Sequence, residues 1–416
     1  MTLPSAVGRS HHHPCLGPKP THLPHSNPTG YAARISVCSV QSASASIHLI
    51  GSLSICGFDA RMRMQTIPFA VCRLHVKLSH RHDKHLDVVR TLESLGSNVN
   101  AKADAGKTPL HCCIGNECVE LLISLGADPL IKDDSGSIPL HCAATRGDEH
   151  AVWSLVRGGR AIHAANKNSQ TPLHLACQYG QTKAVRGLFE AGAYKNAPDA
   201  ADMRPLYYAS KFGHSMLVLL LVGAGADIEA PSSQMWTPLH YAVSEGHAQV
   251  VQKLIASGAN IEAAAENQHR LLHRAVKNSH SGVAKALLEA AAEAEAETAQ
   301  DERPLHLALE KPNGVVVEAL IKHGADVNVA TKAKESLILK ACQSANSIND
   351  TLALIRALTE HGADINAVSA SGQSPLSAAC SRPHLALDLF RFLLQKGARV
   401  RHTDYPALWR NDKLPS

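Results

Sequence analysis

Thr171-Pro-Leu-His-Leu-Ala176 recurs as Arg204-Pro-Leu-Tyr-Tyr-Ala209, Thr237-Pro-Leu-His-Tyr-Ala242, Arg270-Leu-Leu-His-Arg-Ala275 and Arg303-Pro-Leu-His-Leu-Ala308, each 33 residues after the last. Upstream, Ile138-Pro-Leu-His-Cys-Ala143 keeps the 33-residue step, and Thr108-Pro-Leu-His-Cys-Cys113 precedes it by only 30. Downstream, Ser336 continues the period and Ser374-Pro-Leu-Ser-Ala-Ala379 follows after 38. About 21 residues into each unit comes a second mark, Gly-Ala-Asp or a variant, at Gly126, Gly159, Gly192, Gly225, Gly258, Gly324, Gly362 and Gly397. Self-similarity at a fixed period means one supersecondary unit used many times.

The residues of the mark explain themselves. Thr at the start can cap a helix by accepting a free backbone N–H, and Pro follows where its missing donor costs nothing. Leu and Ala then face inward. A second helix, as over Thr182–Glu190, carries apolar residues at helical spacing. Gly192 or Gly258 ends it in a left-handed turn, and the chain returns as an extended finger to the next Thr-Pro.

This T-P-L-H-x-A spacing resembles that of the ankyrin-repeat family. The resemblance covers residues 67–400: nine clear units, preceded by a degenerate one running from Ile67-Pro-Phe through a helix at His85–Leu95. It implies an all-α repeat solenoid of stacked helix-turn-helix units joined by β-turn fingers. Residues 1–66 are expected to be a disordered, low-complexity head and residues 401–416 a tail. No unit can bury its own apolar face, so stability must come from nearest-neighbour interfaces. Ten layers at about 8–10 Å each would extend on the order of 100 Å.

Composition fits this reading. Hydrophobic residues are 45% but aromatics only 4%, so the core must be mostly Ala, Leu and Val. The net charge of +5 is uneven: residues 1–66 hold Arg9, Lys19, Arg34, Arg61 and Arg63 against Asp59, leaving 36 basic and 35 acidic groups elsewhere. Such balance argues against nucleic acid, which needs clustered cations. Cys112, Cys113, Cys142, Cys177, Cys342 and Cys380 recur at equivalent places, where a free thiol serves as a small hydrophobe; that points to the cytosol or nucleus. No apolar run reaches the length of a membrane span. The longest, Met216–Val222, reads as a buried helix. Residues 1–58 lack acids and are rich in Ser, as in a transit peptide, but the prolines between Pro4 and Pro28 would break its helix.

Three units depart from the pattern. The unit at Thr108 is three residues short between Cys113 and Cys118, which must truncate its first helix. The unit at Ser336 has five extra residues, placed around Ser344–Thr351 in the turn between helices. The unit at Arg270 reads Ala291-Ala292-Glu293 where Gly-Ala-Asp belongs, within the alternating run Ala290–Glu297. Ala resists the left-handed region by roughly 1 kcal/mol and favours helix, so the second helix is expected to run on past its usual end.

Signs of chemistry are weak. Lys102-Ala-Asp-Ala-Gly-Lys-Thr108 ends like a P-loop, yet Ala101 stands where that motif needs glycine and no strand precedes it. His111, Cys112, Cys113 and Cys118 could be imagined as zinc ligands, but core packing explains their positions. His11–His13, His75, His80, His82 and His85 fit no closed tetrahedral site. His111, His141, His174, His240, His273 and His306 share the fourth position of the mark, where the resemblance implies a structural hydrogen-bonding role. No nucleophile motif is present. No enzyme activity and no cofactor are expected.

Residues at equal repeat positions form ladders. Those before the mid-unit glycine are Arg146, Tyr179, Phe212, Glu245, Asn278 and Lys311; those preceding them are Thr145, Gln178, Lys211, Ser244, Lys277 and Glu310. Those before Thr-Pro are Ser137, Gln170, Met203, Trp236, His269 and Glu302. The resemblance places these ladders on a concave partner-binding groove. Aromatic and Met residues, enriched in interface cores, concentrate there at Tyr179, Met203, Phe212, Met235 and Trp236, beside Tyr208 and Tyr241, which fit packing between repeats equally well. The expected partner-binding set is therefore Arg146, Tyr179, Met203, Lys211, Phe212, Met235, Trp236, Tyr241 and Glu245, with Trp236 and Phe212 at the surface. Asn100, Asn328 and Asn366 are expected to be structural finger residues. The expected function is a monomeric, non-catalytic scaffold or adaptor for an unidentified protein. Alternatives are the substrate-recognition subunit of a ubiquitin ligase, for which residues 401–416 offer too little room for a ligase-binding box, and a fragment of a larger signalling protein.

Overall fold

The computed structural model describes residues 96–402 apart from 158, 160, 265–267, 312, 332–334, 344–346 and 382–385, with four positions between 86 and 94. The expected head, most of the degenerate first unit and the end of the tail lie outside the described residues. Among the described residues a short 3-10 turn, Asp104–Gly106, leads into eighteen α-helices in nine pairs. They are α1 (Pro109–Cys112) with α2 (Gly115–Ser124), α3 (Pro139–Arg146) with α4 (Glu149–Val156), and α5 (Pro172–Gln178) with α6 (Thr182–Glu190). Next come α7 (Pro205–Lys211) with α8 (Ser215–Gly223), α9 (Pro238–Glu245) with α10 (Ala248–Ala256), and α11 (Leu271–Lys277) with α12 (Ser281–Glu289). The last are α13 (Pro304–Ala308) with α14 (Gly314–Lys322), α15 (Leu337–Gln343) with α16 (Ile348–Glu360), and α17 (Pro375–Cys380) with α18 (Ala386–Gln395).

Each pair packs on itself, and across most neighbouring units first helix meets first helix and second meets second. Among the described residues no strand forms, only the isolated bridges Ala264–Arg270 and Ala330–Ser336. One apolar seam runs through the stack. Leu173, Ala176, Val185 and Leu188 of one unit and Leu206, Ala209, Val218 and Leu221 of the next are at most 1% exposed. Each buried Leu contributes about 2 kcal/mol of transfer free energy, while the Ala positions let helices approach closely.

Polar stitches lock the layers. The Thr171 N–H donates to His174 Nδ1 at 3.0 Å, with the Thr171 hydroxyl 2.9 Å from the same nitrogen. A backbone N–H can only donate, so Nδ1 is an acceptor and Nε2 carries the proton. His174 Nε2 accordingly donates to the Met203 carbonyl in the next finger at 3.1 Å. His111 and His141 do the same towards Ser137 and Gln170. At the other end of the first helices, His247 Nε2 donates to Lys211 O at 2.9 Å. Gly213 makes room for this contact: its φ is +79°, and a Cβ there would stand 2.7 Å from His247 Nδ1.

The short unit is truncated as expected, with only four residues in α1. Arg146 takes up the loose end, donating from Nη1 to His111 O at 2.9 Å and from Nη2 to Cys113 O at 2.7 Å. The cysteine reading needs correction here. Cys113 and Cys118 form a disulfide, with Cα atoms 6.0 Å apart, and Cys112 is disulfide-bonded too. The three-residue deletion brings the end of α1 straight onto the start of α2, so two inward positions meet. Cys142 and Cys177 are free thiols, so the premise of a wholly reduced set fails in the short unit.

The unit at Arg270 also corrects the expectation. Its second helix does not run on: α12 ends at Glu289, and Ala291 turns with φ +66°. The Ala291 N–H donates to Leu288 O at 2.9 Å and the Ala292 N–H to Leu287 O at 3.0 Å, as Gly258 and Ala259 do in the preceding unit. The reason lies in the alternation that follows. Ala292, Ala294 and Ala296 are buried, while Glu293 pairs with Arg270, Glu295 with Arg303, and Glu297 with Arg303 at 2.9 Å. A period of two suits an extended finger with one face in and one out; a helix would have scattered those carboxylates.

The insertion at Ser336 does not sit wholly in a turn. The 13-residue α16, capped by Ser347, has absorbed most of it. The apolar run on α8 is only half buried: Leu217, Val218 and Leu221 face the seam, while Met216 is 69% and Leu219 37% exposed. A helix between two neighbouring layers has one side left over for solvent. Among the described residues no helix is long and apolar enough to cross a membrane.

Candidate interaction surface

Finger tips and first helices together present the ladders. The last turn of each finger holds a left-handed residue at a 33-residue spacing: Ser169, Asp202, Met235, Gln268 and Asp301 all have φ near +57° to +59°. Short polar residues tolerate this region; a long apolar one gains nothing from it. Met235 is the exception, and it is 70% exposed.

On the first helices, Tyr179 and Phe212 are the residues that end α5 and α7, and both are exposed, at 53% and 43%. Lys211 Nζ lies 6.0 Å from the ring centroids of both Phe212 and Tyr241. Tyr241 in turn packs 5.1 Å from Trp236, and the Arg274 guanidinium lies 4.1 Å over the Trp236 ring. The line Phe212, Lys211, Tyr241, Trp236, Arg274 thus crosses three units in unbroken contact. Cations over aromatic faces are attracted by the ring quadrupole.

Of the nine residues expected to bind, Tyr179, Phe212, Met235 and Glu245 are exposed and Lys211 half-buried. The structure moves the others inward. Trp236, expected at the surface, is half-buried with Met203 against Tyr207, Ala230 and Tyr241. Tyr241 itself is only 7% exposed, so it supports the wall from behind. Arg146 is engaged in closing α1 and has no reach left for a partner. Tyr208 is buried as well: its hydroxyl donates to Asp199 Oδ2 at 2.5 Å and accepts from Gln170 Nε2 at 2.8 Å. Burial first, and the Asp199 carboxylate next, push the Tyr208 phenol well above its usual range.

Two residues escaped the sequence reading. Arg274 occupies the fifth place of the mark, where other units carry Tyr208, Tyr241 or Leu307; a charge at a packing position was the signal. Tyr194 replaces the Asp of Gly-Ala-Asp, is 68% exposed and stacks on His163 with ring centroids 4.0 Å apart.

The other candidates resolve into structure. The cysteines of the imagined zinc set are taken up in disulfides and its histidine in the His111 stitch. Asn100 donates to Gly126 O at 2.9 Å and accepts from the Asp128 N–H at 2.8 Å, bracing one finger on the next; Asn328 and Asn366 make the same pair of bonds. The shared histidines are held neutral: burial, the largest cause, lowers His141 and His240 to about 4, with the Arg274 charge adding to it at His240.

The match to a known family agrees with this architecture. The ankyrin-repeat family, described as "Ankyrin repeats (3 copies)", matches residues 115–199, 206–298, 263–331 and 305–404. No curated protein matches the chain. Among 518 matching solved chains is the ankyrin repeat domain of human ASB11, at 27% identity and a TM-score of 0.48, covering 53% of this chain and 98% of that one. With family matches over most of residues 115–404 and the tandem helix pairs to go with them, the chain belongs to the ankyrin-repeat family, whose repeats generally mediate protein–protein interaction.

Proposed function

We propose that the protein is a non-catalytic adaptor that grips a partner protein on the wall of fingers and first helices, chiefly between Thr171 and Lys277. The observation that carries this reading is the exposure of Tyr179, Phe212 and Met235 on that wall in a chain with few aromatics. Large apolar side chains left in water beside half-buried neighbours are what a hot spot looks like before its partner arrives. Met235 adds weight, because it holds a left-handed tip that other units give to small or polar residues.

The test is affinity purification of the full chain with quantitative mass spectrometry, wild type against a Tyr179→Ala/Phe212→Ala/Met235→Ala variant. The three side chains are outside the seam, so the variant should keep its helical circular dichroism and melting temperature. Specific partners should fall by about tenfold or more in recovery, as expected for hot-spot truncation. Partners recovered equally by both proteins would place the binding surface elsewhere.

A further inference from the structure

The wall carries charge in a pattern, and the pattern constrains what can lie on it. Along the three ladders and the fifth position of the mark, from Met203 to Lys277, the charged residues are Lys211, Arg274 and Lys277 against Glu245. Among the described residues, no ion pair engages Lys211 or Lys277. Lys277 is exposed, Lys211 half-buried. Both Lys277 and Arg274 act on His269, lowering its pKa after burial does, so these charges converge on the same part of the wall as Trp236. Cations held against aromatic rings are already oriented, and an incoming carboxylate would meet them without ordering them first.

Spacing then selects the ligand. Lys211 and Lys277 are two units apart, or about 20 Å at the usual helix-layer separation. An extended peptide, rising about 3.3 Å per residue, covers that distance in about six residues. Trp236 and Met235 stand between the two cations, and the Phe212 ring adjoins Lys211. Nucleic acid is a poorer fit, since phosphates recur far more closely than these cations do and binding needs them clustered.

We propose that the segment bound by this wall is an extended acidic peptide, with carboxylates about six residues apart that meet Lys211 and the Arg274–Lys277 pair, and an aromatic or aliphatic side chain between them against Phe212 and Trp236. The proposal rests on the reading of this wall as the interaction surface and adds the chemistry of its occupant.

A random peptide library displayed on phage is selected against the full-length protein. The recovered peptides are then synthesised with a fluorescent label and titrated by anisotropy against wild type, Lys211→Glu/Lys277→Glu and Phe212→Ala. The expected result is enrichment of sequences with two acids bracketing an apolar residue, bound at least about tenfold more weakly by the charge-reversal variant. Lys211→Gln/Lys277→Gln, which leaves the side-chain lengths near native, should show a smaller loss and guards against a folding defect in the reversal. Neutral or basic peptides in the selection would overturn the proposal, as would acidic peptides that both lysine variants bind unchanged. If such peptides still depend on Phe212, the wall remains the interaction surface and only its charge selectivity is refuted. If no substitution on the wall alters binding, both readings fall. Polyuridine RNA that displaces the peptides at equal affinity and with the same lysine dependence would refute the peptide assignment in favour of single-stranded nucleic acid.

Discussion

His111, His141, His174, His240, His273 and His306 are all depressed in pKa, burial being the largest cause at each. The geometry sharpens the effect, because protonating Nδ1 would aim its N–H at the backbone N–H it now accepts from. In the folded protein these rings are neutral, whereas in an unfolded chain they titrate near 6.5. Between those values the unfolded state binds more protons, so their contribution to stability is complete above about pH 6.5 and is lost as pH falls towards 4. For His141 and His240, lowered to about 4, the loss reaches on the order of 3 kcal/mol each. Urea melts taken across this window should therefore show steeply falling stability at the acid end. His240→Asn, which keeps an acceptor without a titrating ring, should flatten the slope. A stability that stayed level from pH 7 to pH 4.5 would remove the histidines from the account.

At the scale of the element, the short unit shows how a deletion is repaired. A four-residue α1 cannot satisfy its own carbonyls; Arg146 from the next unit supplies two donors, and Cys113–Cys118 joins the helix end to α2. Closing so small a loop stabilises by about 2 kcal/mol in the chain-entropy account. Reduction should therefore loosen this unit first, lowering the protection of amides in residues 109–124 while those in residues 172–223 stay protected. Cys113→Ala should reproduce the loss, since Ala is what other units carry there. Equal exchange before and after reduction would mean that packing alone holds the unit.

For the array of units as a whole, the seams are unequal. His111, His141, His174 and His273 each reach a carbonyl in the following finger, but among the described residues the buried Nε2 atoms of His240 and His306 have no acceptor. Leaving a buried donor unmatched costs about 1–3 kcal/mol, and in a stack whose stability is a sum over neighbours the weak seams open first. Hydrogen exchange should show residues 337–395, beyond the second of these seams, opening at lower free energy than residues 139–223. The reverse order, or one cooperative transition throughout, would show that the seam bond does not set the hierarchy. The wall proposed to bind ends before the His306 seam but is crossed by the His240 seam, so a partner spanning Phe212 to Lys277 would clamp the weaker join and raise its opening free energy.

How legible the protein was depends on whether the signal was local. Residues recurring every 33 positions announced the helix pairs, their proline starts and the glycine turns, because each unit repeats the same short-range physics. The truncation of α1 followed from counting alone. The ladders were equally plain, and with them Tyr179, Phe212 and Met235. What could not be read was which side of a borderline residue meets a neighbour. Tyr241 and Trp236 share a ladder logic with exposed residues, yet they sink against Tyr207 and Ala230 because bulky side chains in consecutive units fill the same gap. Arg146 lies on the Phe212 ladder, but a deletion one unit earlier gave it another task. Ala291 turns because the finger beyond it buries Ala292, Ala294 and Ala296 and sets Glu293, Glu295 and Glu297 against Arg270 and Arg303, which together offset the roughly 1 kcal/mol a left-handed Ala costs. The periodic sequence determined the solenoid and its faces, since those depend on contacts within one unit and its copy. Only the tertiary structure decided burial, pairing and disulfide partners, since those depend on what two different units put opposite each other.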